Sequence, residues 1–299
     1  MVRNRVCYAA LLMFVCGALS ARPVVALLTD FGVNTEAVGL CHGAIASINS
    51  EIEVVDLCHT VEAYDIGLAA LMLHGTTVFP KGSVIVCVVD PGVGTSRQPC
   101  ALRTKRGLTY VGPNNGVFSY VAREQGVEQF VTLVPERVNP KWQPGTFDGR
   151  DLFSPAGALL ATDGDLKRVG DLADPSQLVL LPESELSVDG SRGSITGVYL
   201  RTDEPYGNLW TNITSDALTS ASIRVGDLLK FECDTVRLEV PFVISFGHVK
   251  SGQALAYLNS SDTLAFAINM GDFRKEYGLK SGTKLTVRKM NVPAPSQKP

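Results

Sequence analysis

The sequence predicts an α/β protein in two unequal parts: an N-terminal, mainly parallel α/β sandwich and a smaller all-β C-terminal domain. Three observations predict it. Through the first half, short β-branched apolar runs alternate with helix-period stripes, the pattern of a sheet covered on both faces. The run Ser83 to Val89, SVIVCVV, is apolar at nearly every position, as a strand buried on both sides must be. After about Pro175 the helical stripes give way to short β-rich runs separated by turns. The chain has 299 residues, 45% of them hydrophobic, which is near the limit for one core and fits two.

Taken in order, residues 24–29, VVALLT, form the first strand, which ends at Asp30-Phe31-Gly32. Thr35 to Ser50 carries Ala37, Val38, Cys41, Ala44, Ile45 and Ile48 at helical spacing. Ile52 to Leu57 is the next strand, and Asp65 to Phe79 the next helix, with Ile66, Ala69, Ala70 and Leu73 on one face. SVIVCVV ends at Asp90-Pro91-Gly92-Val93-Gly94. Leu108 to Val111 ends at Gly112-Pro113-Asn114-Asn115-Gly116. Helices follow over Val117 to Gln125 and after Asp151. Ligands in open α/β sheets bind beyond the carboxyl ends of strands. Asp30, Asp90 and Asn114-Asn115 are therefore expected at one rim. Residues 175–190 read as loop. From Ser194 the runs ITGVYL, GNLWTNI, DLLKFE, RLEVPFVISF, ALAYLN, TLAFAI and KLTVRKM read as strands.

The termini stand apart. Arg3 and Arg5 precede sixteen uncharged residues, Val6 to Ala21, which end in small side chains. Residues 1–21 thus read as a secretory signal, and the protein as exported, periplasmic or secreted. An uncleaved anchor is the alternative, although the apolar run is short for a membrane span. No membrane association is expected once the signal is removed. The expected division is 22–180 for the α/β domain, 190–292 for the β domain and 293–299 for a disordered tail.

Composition excludes several functions. Lys and Arg number 27 against 30 Asp and Glu, so no basic surplus exists to bind nucleic acid. Five cysteines, Cys41, Cys58, Cys87, Cys100 and Cys233, remain beyond residue 21, an odd number at irregular spacing and without a C-x-x-C pair. The four histidines, His42, His59, His74 and His248, show no zinc-pair spacing, so no metal is expected. His74 reads as a packing or surface residue, and His59 as nearer the rim. There is neither a G-x-S-x-G elbow nor a G-x-G-x-x-G turn after the first strand.

Three segments carry chemistry. In Asp90 to Arg97 a buried strand ends in a carboxylate, and a glycine-rich turn brings an Arg back seven residues later. It could hold a ligand or simply close a loop. Thr146 to Asp151 packs three charges around a glycine at a helix entrance, where Asp151 reads first as an N-cap. Pro205-Tyr206-Gly207-Asn208 is either a hairpin turn or an aromatic face with an amide, suited to a purine.

Together these segments resemble the S-adenosylmethionine (SAM) hydroxide adenosyltransferases, or SAM hydrolases, relatives of the SAM-dependent fluorinase and chlorinase. Thr29-Asp30-Phe31-Gly32, Asp56-Leu57-Cys58-His59, Phe79-Pro80-Lys81-Gly82, Asp90 to Arg97, Pro113-Asn114-Asn115-Gly116, Thr146 to Asp151, Tyr206-Gly207-Asn208 and Ile268-Asn269-Met270-Gly271 fall in the family's order. The resemblance implies a barrel-like C-terminal domain, a homotrimer, and SAM bound between one protomer's N-terminal domain and a neighbour's C-terminal domain. The implied reaction is hydrolysis of SAM to adenosine and L-methionine by water attacking the ribose C5′. SAM is the substrate, and no cofactor is implied.

Roles carry over position by position. Asp90 and Arg97 look like two members of a water-activating Asp–Arg–His set, one accepting a hydrogen bond from the water and the other stabilising developing hydroxide. Asp148 stands where hydrolases typically have His, and sharing of Arg97 by Asp90 and Asp148 is expected to raise one carboxyl pKa. Asp30 resembles the acceptor for both ribose hydroxyls. Tyr64 matches a stacking fluorinase Trp. Tyr206 and Phe246 resemble walls of the adenine pocket, Asn208 its amide, and the backbone at Asn269 and Met270 its edge reader. The fluorinase Arg that binds the methionine carboxylate is Ser261 here, with Thr35 and Ala37 at its partner positions. Asn114-Asn115-Gly116 and the stretch from Tyr206 to Asn212 look more like the halogenase version. A halogenase forming 5′-chloro-5′-deoxyadenosine is therefore one alternative, and a non-catalytic exported adenosine- or SAM-binding protein another.

Overall fold

The computed structural model describes residues 22–290. The signal and the C-terminal tail expected from sequence lie outside the described residues. The strands of the first sheet are β1 (Val24–Thr29), β2 (Glu53–Cys58), β3 (Val84–Val88), β4 (Pro99–Thr104), β5 (Thr109–Pro113), β6 (Val127–Leu133) and β7 (Gly170–Leu172). Their spatial order is β2-β1-β3-β5-β4-β6-β7. The block β2-β1-β3-β5 is parallel, and β4, β6 and β7 extend it antiparallel. Sequence reading passed over β4 and β6: β4 turns directly back into β5 through a short hairpin, and β6 follows the Ser119–Gln125 helix to lie antiparallel on the far side of β4.

Alternation along each buried strand builds two cores. Val25 and Leu27 face one side with Val84 and Val86, under α1 (Ala37–Ile48) and, later in the chain, the helix Ser154–Asp163. Ala26 and Leu28 face the other side, under α2 (Ile66–Leu73) and α3 (Ser119–Gln125). Three helices follow in this part: α4 (Pro135–Val138), α5, which is the Ser154–Asp163 helix, and α6 (Leu166–Val169). Helix α5 lies so close to β3 that a Cβ on Gly157 would come within 2.5 Å of Val86 Cγ2. The helix expected over Asp65 to Phe79 is α only to Leu73; His74–Val78 tightens into a 3₁₀ turn.

The second sheet contains β8 (Ser187–Asp189), β9 (Ser194–Asp203), β10 (Asn208–Thr214), β11 (Leu228–Cys233), β12 (Val236–Pro241), β13 (Ala254–Leu258), β14 (Thr263–Ile268) and β15 (Lys284–Lys289). It runs β12-β11-β15-β9-β10-β14-β13, antiparallel throughout, with β8 against β9. The chain leaving β12 returns to β13, where Val243 N–H donates to Ala256 O at 2.9 Å beside a Phe242–Ala256 bridge. The sheet is thereby nearly closed into a barrel, which hides its edges. Inward residues such as Tyr199, Leu209, Phe231 and Phe266 fill it. Two short helices break the all-β expectation: α7 (Ser215–Ser220) and α8 (Phe273–Tyr277). Helix α8 is capped by Asp272, which accepts from Lys275 N–H at 2.7 Å, and plugs Phe273 into the barrel core. Among the described residues no helix is long and apolar enough to cross a membrane.

Candidate active site

Parallel pairing sets the first half of the site. Thr29 lies opposite Val88 and Val86 opposite Val111, so β1, β3 and β5 end side by side. Asp30, Asp90 and the Asn114-Asn115 pair leave from that common rim, as expected. Asn115 Nδ2 donates to Val89 O at 2.9 Å and ties two of the strand ends together. Asn114 is turned away, to Gln177 O and Val179 N–H. Asp30 Oδ2 accepts the Tyr64 N–H at 3.0 Å. That bond holds Tyr64 at φ 69°, a left-handed conformation that is costly for a bulky residue, with 71% of the residue exposed. His59 is buried beside the rim. Its Nδ1 lies 2.9 Å from Thr29 Oγ1 and its carbonyl accepts from Gly32 N–H. Asp56 Oδ1 lies 2.8 Å from His42 Nε2 and 3.0 Å from His59 Nε2, although the His59 nitrogen is not aligned for a hydrogen bond.

The Asp90–Arg97 turn closes as its spacing predicts and also reaches a third group. Arg97 Nε donates to Asp90 Oδ1 at 3.1 Å and Nη2 donates to Asp90 Oδ2, a bidentate pair. The same Nη2 donates to Asp148 Oδ2 at 2.9 Å. All three side chains are nearly buried: Arg97 is 8% exposed, Asp90 5% and Asp148 12%. Phe153 stacks on the guanidinium at 5.4 Å and fixes its plane. Burial pushes the Asp90 carboxyl above its ordinary value, against the lowering by Arg97 and the Gly92 N–H; the Asp148 charge adds a smaller push in the same direction. The expected sharing of Arg97 is therefore present, but desolvation rather than repulsion dominates the shift.

Asp148 is delivered by an unusual turn. Gly149–Phe153 forms a π-helical turn that runs directly into α5, a feature common at functional sites. A Cβ on Gly149 would lie 2.8 Å from the Phe31 ring, which would have to shift to admit it. Asp151 is not an N-cap. It sits inside the turn, and its carboxylate is held by Arg150 at 2.6 and 2.8 Å. Asp90 spends both oxygens on Arg97 and Gly92 N–H. Among the described residues no donor meets Asp148 Oδ1. Asp148 and Arg97 also line a small cavity of about 260 Å³, which Asp90 does not reach.

The second half lies on the outer face of the barrel, as an open pocket of about 750 Å³. Tyr206, Asn208, Phe246, Asn269 and Met270 all line it, as expected from sequence. Tyr206-Gly207 is also a hairpin turn between β9 and β10, so the turn reading of that segment holds. Asn208 is buried and donates from Nδ2 to Asp203 Oδ2 at 3.0 Å. Asn269 spends its N–H on Gln253 O and its side-chain amide on Val249 O. Adjacent Met270 stands at φ 60° and is 88% exposed. Sequence reading missed Trp210 and Tyr257. Trp210 and Tyr257 pair from opposite sides with Ala265, and Phe246 stacks on Tyr257 at 5.0 Å. Their alternation within GNLWTNI and ALAYLN was the available signal. No rim residue lines the barrel pocket within one chain. Among the described residues, no group of three or more His, Cys, Asp or Glu is placed to hold a metal ion.

Comparison with known proteins gives a consistent result. Residues 25–170 match the SAM hydroxide adenosyltransferase N-terminal domain, and residues 197–286 match the C-terminal domain of that family. The chain is 34% identical to an (R)-S-adenosyl-L-methionine hydrolase of Thermus thermophilus, over 87% of this chain and 97% of that protein. It is 29% identical to a fluorinase of Actinopolyspora mzabensis, over 89% and 97% respectively. The crystal structure of an uncharacterized conserved protein from Thermotoga maritima superposes with a TM-score of 0.83 at 30% identity, covering 88% of this chain and 99% of that one.

Proposed function

Since this chain belongs to the SAM hydroxide adenosyltransferase family through both of its sheets, we propose that it hydrolyses SAM to adenosine and L-methionine. The observation that carries this reading is Arg97 clamped between two nearly buried carboxylates, Asp90 and Asp148, at the rim where Asp30 also emerges. Two carboxylates beside the guanidinium disfavour a bound halide, whereas a water molecule is suited to such a mixed charge.

The chemistry follows from the geometry. The sulfonium makes methionine a good leaving group, so the enzyme must supply an oriented nucleophile in line with the C5′–S bond. Asp148 Oδ1 is the open acceptor and takes the hydrogen bond from water. As the C5′–O bond forms and the C5′–S bond breaks, one proton of the water passes to Asp148, and Arg97 stabilises the hydroxide character that develops on the oxygen. Asp90 fixes Arg97 through the bidentate pair and keeps its plane aligned. Asp30, anchored to Tyr64, accepts from the ribose hydroxyls. The barrel pocket, with Tyr206, Phe246 and Asn208, takes adenine. The separation of the rim from the barrel pocket within one chain supports a site completed by a neighbour's barrel, and the resemblance to the family implies that the assembly is a homotrimer. Export directed by residues 1–21 is part of the same reading.

Incubation of purified protein with SAM, followed by chromatography, tests the proposal. Adenosine and methionine in equal amounts are expected, without added metal. No adenosine above a heat-killed control leaves only the binding role. Chloride-dependent chloroadenosine in place of adenosine makes the protein a halogenase.

A further inference from the structure

His59 is buried and takes no part in the chemistry described above. Its ring is held from both sides. Nδ1 lies 2.9 Å from Thr29 Oγ1, and Nε2 lies 3.0 Å from Asp56 Oδ1. Thr29 closes β1, and Asp56 lies near the end of β2. The meeting of Asp56 with His59 needs the slip in register between those strands, where Leu27 pairs with Asp56 but Leu28 with Cys58. A regular strand turns residues three apart to opposite faces, whereas one extra residue re-aims the chain and brings both to the same side.

These contacts decide which ring nitrogen carries the proton. Burial works to raise the Asp56 carboxyl, yet His59 and His42 hold it below its ordinary value, so it is a carboxylate and only accepts. A bare Nε2 at 3.0 Å would point its lone pair at that charge, so Nε2 carries the proton although its N–H is poorly aligned. In the neutral ring Nδ1 is then an acceptor and takes the Thr29 hydroxyl proton. Thr29 Oγ1, its own proton so directed, accepts the Phe31 N–H at 3.3 Å. One residue further, Gly32 N–H donates to the His59 carbonyl at 2.6 Å. Asp30 therefore sits in a segment whose next two amides both lead back to His59.

We propose that His59 is a positioning residue for ribose recognition: it orients the Thr29 hydroxyl and pins the Phe31 and Gly32 amides, and so sets the direction of the Asp30 carboxylate. The inference rests on the proposed function for the part played by Asp30. One Asp30 oxygen is spent on the Tyr64 N–H. The angle at which the other is offered to a ligand depends on the backbone that His59 holds. The Phe31 ring is seated separately, in an edge contact with Phe147 at 5.6 Å. Loss of the His59 bonds therefore loosens the segment's hydrogen bonding without unseating it.

Asn and Gln in place of His59 separate the work of its two nitrogens. An Asn amide overlays Nδ1 and still accepts from Thr29, whereas a Gln amide reaches the Nε2 position and meets only Asp56. Calorimetry of the purified protein compares adenosine with 2′,3′-dideoxyadenosine, which lacks the ribose hydroxyls. His59→Gln should weaken adenosine about tenfold, the scale of one buried polar group left unpaired, and leave the dideoxy analogue unchanged. His59→Asn should stay within about threefold of wild type for both ligands. Thr29→Val removes the hydroxyl itself and should repeat the His59→Gln loss. Long-range proton–nitrogen NMR of the wild-type ring should show the Nε2-protonated tautomer, a reading that needs no variant to fold. Equal losses of both ligands in His59→Gln, a His59→Asn as weak as His59→Gln, full adenosine affinity in Thr29→Val, or a ring protonated on Nδ1 each overturns the proposal. Wild-type preference for adenosine over its dideoxy analogue without turnover of SAM sinks the hydrolase reading alone. Absence of that preference sinks the Asp30 role and this inference with it.

Discussion

Arg97 Nη2 donates to Asp148 Oδ2 at 2.9 Å while the same guanidinium grips Asp90 through a bidentate pair. Residues 51 apart in sequence are thus joined through one nitrogen that already serves a partner seven residues away. The two carboxylates are not equivalent: Asp90 is fully engaged, and Asp148 keeps one oxygen open.

That asymmetry predicts the Asp148 variants. Asp148→Asn removes the charged acceptor and should lower SAM hydrolysis about a hundredfold, the lower range for a positioned acid–base group. Asp148→His offers a ring nitrogen as acceptor and should retain more activity than Asp148→Asn. Single-turnover rates at saturating SAM measure both. Wild-type rates in Asp148→Asn would remove Asp148 from water activation.

Arg97→Ala should be the most damaging single change. It strips charge stabilisation from the attacking oxygen, a loss of about a hundred- to a thousandfold. It also leaves two nearly buried carboxylates facing each other, which should cost about 3–5 kcal/mol of stability. Urea unfolding gives the stability change and chromatography the rate. An Arg97→Ala protein as stable as wild type would mean that water already compensates both charges.

The sequence carried the Asp90–Arg97 contact because both ends of the glycine-rich turn lie in one segment after one strand. Arg97 to Asp148 was not readable from spacing; only the resemblance suggested it, since the contact depends on a π-turn that no local pattern announces. The all-β second part was readable because short β-rich runs recur between turns, whereas its closure into a barrel came only from the resemblance. Helices α7 and α8 were not readable, because six and five residues are too few to show a helical stripe. Trp210 and Tyr257 joined the pocket only when β10 and β13 were placed either side of β14.

The raised Asp90 pKa sets a pH dependence. Protonating Asp90 releases one side of the Arg97 clamp, so hydrolysis should fall as pH drops through a midpoint above the ordinary carboxylate value of 3.8. The stability term has the opposite sense. A carboxyl raised on folding contributes stability fully present below 3.8 and lost as pH rises through its folded value. Activity should therefore fall on the acid side, where this group's contribution to stability is largest. Rate and melting temperature against pH, in wild type and Asp90→Asn, measure both effects. An acid limb unchanged in Asp90→Asn would assign it to another group.

Gly207 predicts the sensitivity of the adenine pocket. It stands at φ 70°, and a Cβ there would fall 2.0 Å from Asp272 Oδ1, the cap of α8. Gly207→Ala should therefore displace the cap and the Tyr206 turn together. The expected cost is about 2 kcal/mol of stability, from the incompatible backbone and the lost cap. Adenosine affinity should fall with it. Unchanged melting and unchanged adenosine binding would show that the turn shifts freely.

Separation of the two half-sites gives the sharpest prediction. The rim carries Asp30, Asp90, Arg97 and Asp148, whereas Tyr206, Phe246 and Met270 stand on the barrel with their faces open: 66%, 36% and 88% exposed. If a neighbour's barrel covers each rim in a closed ring, an N-terminal defect and a C-terminal defect damage different halves of each site. Asp90→Ala and Phe246→Ala homotrimers should each be nearly inactive. Unfolding and refolding the two together in equal amounts should give mixed rings in which about a quarter of the sites combine an intact rim with an intact barrel, by random assortment around a heterologous interface. Hydrolysis should then recover to about a quarter of the wild-type rate. If each chain instead completes its own site, every site in the mixture keeps one defect and no activity returns. Light scattering on the same samples reports the ring size, and a monomer there would by itself exclude a shared site.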